Sequence, residues 1–215
     1  MDKSKITIVI ADDHPIMLKG IAQELKQANY NVIGMAENGA KALEFITSLK
    51  PMIALLDIEM PLLNGYEVVK RSKECCPNTR FIVMTYHKEK GFVVQAKKLG
   101  IHGYLLKEDG IKTIQTCIKS VLNDEAYYSD SFSSDFEGIV ENELKKLNLL
   151  TPSERSIIRL VALGKSSAQI ADLLLISVRT VQKHRTNIIA KLGIGQSIDA
   201  LSQWIKEHHE LISSL

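Results

Sequence analysis

Three carboxylates, a hydroxyl and an ammonium recur in this chain at one kind of place, the end of an apolar run. Asp57 ends Met52-Ile53-Ala54-Leu55-Leu56 and is followed by Met60-Pro61 and Gly65. Asp12-Asp13 follow the run Ile6-Thr7-Ile8-Val9-Ile10, Thr85 ends Phe81-Ile82-Val83-Met84, and Lys107 ends Gly103-Tyr104-Leu105-Leu106. Carboxylates gathered together repel, since like charges about 4 Å apart interact by roughly 4 kcal/mol at an intermediate dielectric. A hard divalent cation relieves that repulsion. Mg2+ suits the set, because it takes one or two carboxylates, keeps several waters and binds phosphate oxygens.

The elements that must position these groups follow from the same runs. Strands this apolar belong in a parallel sheet covered on both faces, and ligands of such sheets bind beyond the carboxyl ends of the strands. Between the runs lie helical patterns: Leu18, Ile21, Ala22 and Leu25 share one face, and Ile111, Ile114, Ile118 and Val121 another. The strand and helix alternation recurs five times before residue 124, which predicts an α/β, doubly wound, five-stranded parallel sheet.

The order of acidic pair, Asp-x-x-Met-Pro-x-x-x-Gly, Thr and Lys across residues 5–124 resembles the receiver domain of bacterial two-component response regulators, a flavodoxin-like fold. The resemblance implies that Asp57 accepts a phosphoryl group from a sensor histidine kinase. It implies that Asp13 binds Mg2+ directly, Asp12 largely through water, Asp57 itself and the backbone carbonyl of Glu59 as further ligands. Lys107 would contact the phosphoryl oxygens, the Thr85 hydroxyl would close on them, and Tyr104 would rotate as Thr85 moves. Phosphoryl transfer asks for these roles, an aligned nucleophile and countercharge on the equatorial oxygens.

Composition sets wider limits. With 45% apolar and 24% charged residues the chain is ordinary for a globular protein, and its 215 residues suffice for two modest domains. No run approaches the roughly 20 apolar residues of a membrane span, and the start Met-Asp-Lys-Ser-Lys lacks a secretory pattern, so a cytoplasmic location is expected. Cys75, Cys76 and Cys117 have no metal-ligand spacing and read as free thiols in a reducing compartment. The histidines are scattered, and none is assigned to a metal.

The chain divides at residues 1–124, 125–148 and 149–215. Lys and Arg against Asp and Glu number seventeen to fourteen, two to six and eight to five, giving net charges of +3, −4 and +3. The middle segment reads as an acidic linker with a short helix around 135–147. Beyond it, helices are predicted at 152–163, 166–174, 177–192 and 196–209. Thr151, Pro152 and Glu154 form a capping-box start, Gly164 ends the first helix, and Ser177 caps the third after a short turn. Two helices so joined form a helix-turn-helix, whose second helix can enter the major groove.

Val181, Ile188 and Leu192 fall on the inner side of that helix, leaving Gln182, Lys183 and Thr186 for base edges. Arg179, Arg185, Asn187 and Lys191 suit phosphate, and Thr180 completes the expected contacts. The segment from Leu150-Thr-Pro-Ser-Glu-Arg to Lys191-Leu192-Gly193-Ile194, with Ile170-Ala171 and Ile176-Ser177-Val-Arg-Thr-Val-Gln-Lys-His-Arg-Thr-Asn-Ile188, resembles the LuxR-type four-helix DNA-binding domain. A receiver followed by this domain is the NarL/FixJ arrangement.

The resemblance implies phosphorylation-switched dimerisation and sequence-specific binding of double-stranded DNA to control transcription. Its partners would be a histidine kinase, a second copy of the chain, DNA and RNA polymerase, with no membrane and no enzymatic activity beyond the receiver's own phosphorylation and dephosphorylation. Departures bear on that expectation. Tyr86 stands where the family has a small residue, Glu59 and His87 stand two residues after Asp57 and Thr85, and Glu108 replaces a frequent proline. Ser167-Ala168-Gln169 replaces a common Asn-Lys-Glu, and Gln182 an often-found lysine. A phosphorylation-independent DNA-binding or interaction scaffold therefore stays open. An aspartyl-phosphate phosphatase is less favoured, because Glu59 replaces its usual second Asp and the helix-turn-helix would be unexplained.

Overall fold

The apolar runs become strands whose two faces both escape water. A computed structural model describes residues 2–86, 90–129, 142, 145–195, 198–208 and 212. The chain divides into two compact units, Met1–His87 with Leu99–Phe132 and Lys88–Lys98 with Ser133–Leu215. In the first, β1 (Thr7–Ala11), β3 (Ile53–Asp57), β4 (Arg80–Thr85) and β5 (Gly103–Leu106) are buried almost throughout. The more open β2 (Asn31–Ala36) forms one edge, and a short β6 (Tyr127–Tyr128) the other. All pairings are parallel, in the order β2-β1-β3-β4-β5-β6.

The sheet thus has six strands rather than the five expected. The sixth lies in the segment read as linker, where Tyr127 and Tyr128 pair with Gly103 and Tyr104. Most of the helix expected around 135–147 lies outside the described residues, although 142 and 145–148 are helical.

Alternate residues of a strand face opposite sides of its sheet. Ile8, Ile10, Leu55, Ile82 and Leu105 meet Leu18, Ile21 and Leu25 of α1 (Pro15–Gln27) and Ile114, Ile118 and Val121 of α5 (Ile111–Leu122) in one core. On the other side, Phe45 and Leu49 of α2 (Gly39–Leu49) close over Gly34 and Val9. Each fully buried side chain of this size contributes roughly 1.5–3 kcal/mol. Helix α3 (Gly65–Ser72) starts from a capping box in which Asn64 and Glu67 satisfy each other's backbone N–H groups. Helix α4 (Lys90–Lys98) groups with the second unit.

The loop after β3 explains the Met-Pro-x-x-x-Gly spacing. Gly65 N donates to Ile58 O at 2.8 Å, and Pro61 O accepts from Gly39 N and Leu63 N. A Cβ on Gly65 would collide with the Asp57 carbonyl oxygen. The glycine lets α3 begin directly against the strand end that carries Asp57.

In the second unit the sequence signals recur as geometry. Helix α6 (Pro152–Ala162) starts at the Thr151–Glu154 capping box, α7 (Ser167–Leu174) at a Ser166–Gln169 box, and α8 (Val178–Leu192) at Ser177, whose Oγ accepts from Thr180 N. Gly193, at φ 64°, ends α8 in the left-handed region that favours glycine. Leu175 takes the same conformation at φ 54° in the tight turn between α7 and α8. With α9 (Ile198–Glu207), these helices bury Ile157, Ile158, Ile170, Val181, Ile188, Leu192, Leu201 and Trp204.

Glu154 is buried as well, and Lys191 Nζ reaches its Oε2 at 2.7 Å across 37 residues of chain. Burial alone would raise the Glu154 carboxyl. The Lys191 ammonium and the Thr151 donors outweigh that and hold it below the ordinary carboxylate range.

Two predictions follow from these contacts. Gly65→Ala should destabilise the first unit by about 1–3 kcal/mol through forced overpacking, read from the urea dependence of β3 amide signals. Glu154→Gln should cost the second unit about 1–2 kcal/mol, a modest figure because Lys191 is partly open to water, read from urea unfolding followed by Trp204 fluorescence. Because the folded carboxyl is depressed, the pair's contribution is full above the unfolded glutamate value of 4.5 and is lost as pH falls through the lower folded value. The parent and Glu154→Gln stabilities should therefore converge in acid.

Candidate functional site

The sheet order reverses direction between β1 and β3, and that crevice is where open α/β sheets bind ligands. There the chain delivers Asp12 and Asp13 just after β1 and Asp57 at the end of β3. Lys107, just after β5, extends its ammonium between them, 2.9 Å from Asp12 Oδ2 and 2.7 Å from Asp57 Oδ2. Asp12, Asp57 and Lys107 are all buried. Burial pushes the Asp57 carboxyl above the ordinary carboxylate range, and the Lys107 ammonium recovers only part of that shift. For Lys107, burial works against the charged form, but bonds to Asp57 and Asp12 prevail and keep it above the usual lysine value.

Asp12, Asp13, His14 and Asp57 each bring one ligand atom to within 4.8 Å of the others. Asp13 Oδ1 is buried and accepts no hydrogen bond. It stands 2.8 Å from His14 Nδ1, without hydrogen-bond alignment. A carboxylate oxygen with no hydrogen bond among the described residues, beside two further carboxylates, fits a hard, oxygen-preferring cation. His14 is the member that sequence reasoning passed over. It is the N-cap residue of α1, and its backbone N–H and Nδ1 both turn toward Asp12 Oδ1, at 2.8 and 3.2 Å.

The remaining expected residues surround this centre. Thr85 is buried at the end of β4, and its carbonyl accepts from Lys107 N at 2.8 Å. Tyr104 is 1% exposed, paired in register with Val83. Glu59 is exposed, and its backbone N–H lies 3.3 Å from Asp57 Oδ1. Tyr86 is 64% exposed, with Lys107 Nζ 5.4 Å from its ring centroid. His87 lies outside the described residues.

On α8, the buried row Val181, Ile188 and Leu192 leaves Arg179, Gln182, Lys183, Thr186 and Asn187 exposed on the outer side. Thr180 is half-buried with its hydroxyl 2.8 Å from that of Ser177, and Arg185 Nη1 donates to Ser167 Oγ at 3.4 Å. Lys191 is half-buried and meets the buried carboxylate of Glu154 at 2.7 Å. Charge and spacing along one helix could not reveal a partner so distant in the chain.

Comparison with known proteins agrees with this architecture. Residues 8–119 match the family of the response regulator receiver domain, and residues 148–202 the bacterial regulatory proteins of the luxR family. The nitrate/nitrite response regulator protein NarL of Escherichia coli strain K12 is 31% identical over 211 residues, 96% of each chain. The transcriptional regulatory protein DegU of Brevibacillus brevis is 29% identical over 225 residues, covering 96% of this chain and 95% of its own. Among solved structures, the RcsB response regulator of Salmonella typhimurium superimposes with a TM-score of 0.69 at 25% identity, over 94% of this chain and all of that one. A second RcsB structure, bound to promoter P1flhDC in the presence of the phosphomimetic BeF3−, gives 0.68 at 26% identity over 94% and 98%. The chain belongs to the two-component response regulators, in the NarL/FixJ arrangement of a receiver followed by a LuxR-type helix-turn-helix DNA-binding domain.

Proposed function

We propose that Asp57 accepts a phosphoryl group from a partner histidine kinase and that its phosphorylation switches dimerisation and sequence-specific DNA binding to control transcription. The observation that carries this reading is the buried Asp57 carboxylate at the switch point, 2.7 Å from Lys107 and beside the Asp12–Asp13 pair. An Asp57 oxygen attacks phosphorus of the phosphohistidine, the P–N bond breaks, and an acyl phosphate forms. Lys107 moves from the carboxylate to the new phosphoryl oxygens, and the Thr85 hydroxyl closes on them. Asp12, Asp13, Asp57 and the Glu59 carbonyl would hold Mg2+, which when bound would supply countercharge to the phosphoryl oxygens. Tyr104 follows Thr85 and carries the change to the surface of the receiver, residues 1–124.

Residues 125–148 tether the receiver to the DNA-binding domain, residues 149–215. Gln182, Lys183 and Thr186 read base edges, while Arg179, Thr180, Arg185, Asn187 and Lys191 hold the backbone. A dimer sets two such helices on half-sites about 10 bp apart. The RcsB–promoter complex with BeF3− lends support by its likeness in both domains, and a chain of this plan acts in the cytoplasm with RNA polymerase as a later partner.

A second reading, phosphorylation-independent DNA binding or scaffolding, draws on the Tyr86 ring set over Lys107. One experiment separates them: DNA affinity and molecular mass before and after Mg2+ with acetyl phosphate or beryllofluoride, with Asp57→Asn alongside. A gain in both that Asp57→Asn lacks is expected, and stimulation that survives the substitution would overturn the mechanism. Lys183→Ala should weaken operator binding by about 1–3 kcal/mol and relax preference at one base pair. Affinities measured at two salt concentrations check this, and an unchanged value removes Lys183 from the contact surface.

A further inference from the structure

A cavity of about 260 Å3 opens at the amino-terminal ends of β1 and β2, the edge of the sheet opposite Asp57. It is lined by Lys3, Ile6, Tyr30, Lys119, Leu122 and Asn123. Ile6, Leu122 and the Tyr30 ring make apolar walls. Lys3 is held in place, its ammonium 5.1 Å from the Tyr30 ring centroid and 3.1 Å from Gln115 Oε1. Lys119 stands exposed on the last turn of α5, and no carboxylate is among the described residues that line the space.

Tyr30 is the aromatic wall among the described residues that line the slot. The residue is 4% exposed, and its hydroxyl is buried with no hydrogen-bond partner. Leaving such a group unpaired costs about 1–3 kcal/mol. Burial also raises the phenol above its ordinary ionisation, so the group remains an O–H donor. Two ammoniums and an amide residue line an apolar slot, the pattern of a small-molecule site with a few placed polar groups.

We propose that this cavity binds a small organic anion of the arenecarboxylate class. The ring lies between Ile6, Leu122 and Tyr30, and the carboxylate meets Lys119 and Lys3 at the mouth. The lysines exclude a metal cation, and inorganic phosphate would leave the apolar walls unused. The volume falls just below the roughly 300–1,000 Å3 of drug-sized sites, which keeps out nucleotides. Leu122 and Asn123 end α5 just before the chain turns toward β6, so the site gives the receiver a small-molecule input remote from Asp57.

The test titrates the full chain with benzoate, with benzamide as an uncharged analogue and inorganic phosphate as an anion without a ring. Binding is followed by methyl NMR shifts of Ile6 and Leu122. Saturable shifts with benzoate alone are expected, retained in Asp57→Asn and weakened about tenfold in Lys119→Gln, the effect of one charged contact. Tyr30→Phe should fold with unchanged or higher Tm, since it deletes an unpaired hydroxyl, and should keep its benzoate affinity, since it keeps the ring that walls the slot. No saturable shift, an equal response to benzamide, a response to phosphate alone, or full binding by Lys119→Gln would each overturn the proposal.

Discussion

The contact on which the first unit depends is the Lys107 ammonium shared between Asp12 and Asp57. Two carboxylates buried at the ends of adjacent strands cannot both remain ionised without a cation between them, and a buried ammonium cannot remain protonated without carboxylates. Each group therefore requires the others in place, which ties the ends of β1, β3 and β5 into one electrostatic unit. The strand order is what makes this possible, because it sets β1 beside β3 and leaves β5 two strands away, within reach of a lysine. Lys107 takes Asp57 Oδ2, and among the described residues Oδ1 accepts from the Glu59 N–H at 3.3 Å.

The second unit solves the same physical problem in another way. Glu154 is buried where it caps α6, and Lys191 at the far end of α8 supplies its counterion. Removing one partner of such a pair is worse than never having built it. The pair consequently fixes how α8 lies against α6, and so which face of α8 is left outward.

What could be read from the chain follows from the range of the signal. Strand ends, inward rows of α1, α5 and α8, and caps at Thr151 and Ser177 depend on residues within a turn or two, and each was legible. β6 was missed because two half-buried tyrosines carry no apolar period; only their pairing with β5 makes them a strand. His14 was missed because its place beside the carboxylates comes from the bend that starts α1. The Lys191–Glu154 pair was not legible because its partners are 37 residues apart.

The turn after β5 joins the carboxylate centre to the chain that leaves the sheet. Asp109 accepts from Leu106 N at 2.8 Å through Oδ2, and from Ser129 Oγ at 2.9 Å through Oδ1. Ser129 N also donates to Tyr104 O at 3.0 Å, directly after the β5–β6 pairing. Lys107 lies inside that turn and Tyr104 on that strand, so neither backbone can shift without straining bonds to residues 127–129. A charge change at Asp57 alters conformation only through interactions that differ between the two states. Lys107 is thus bound to Asp57 on one side and carried on a turn latched to Ser129 on the other.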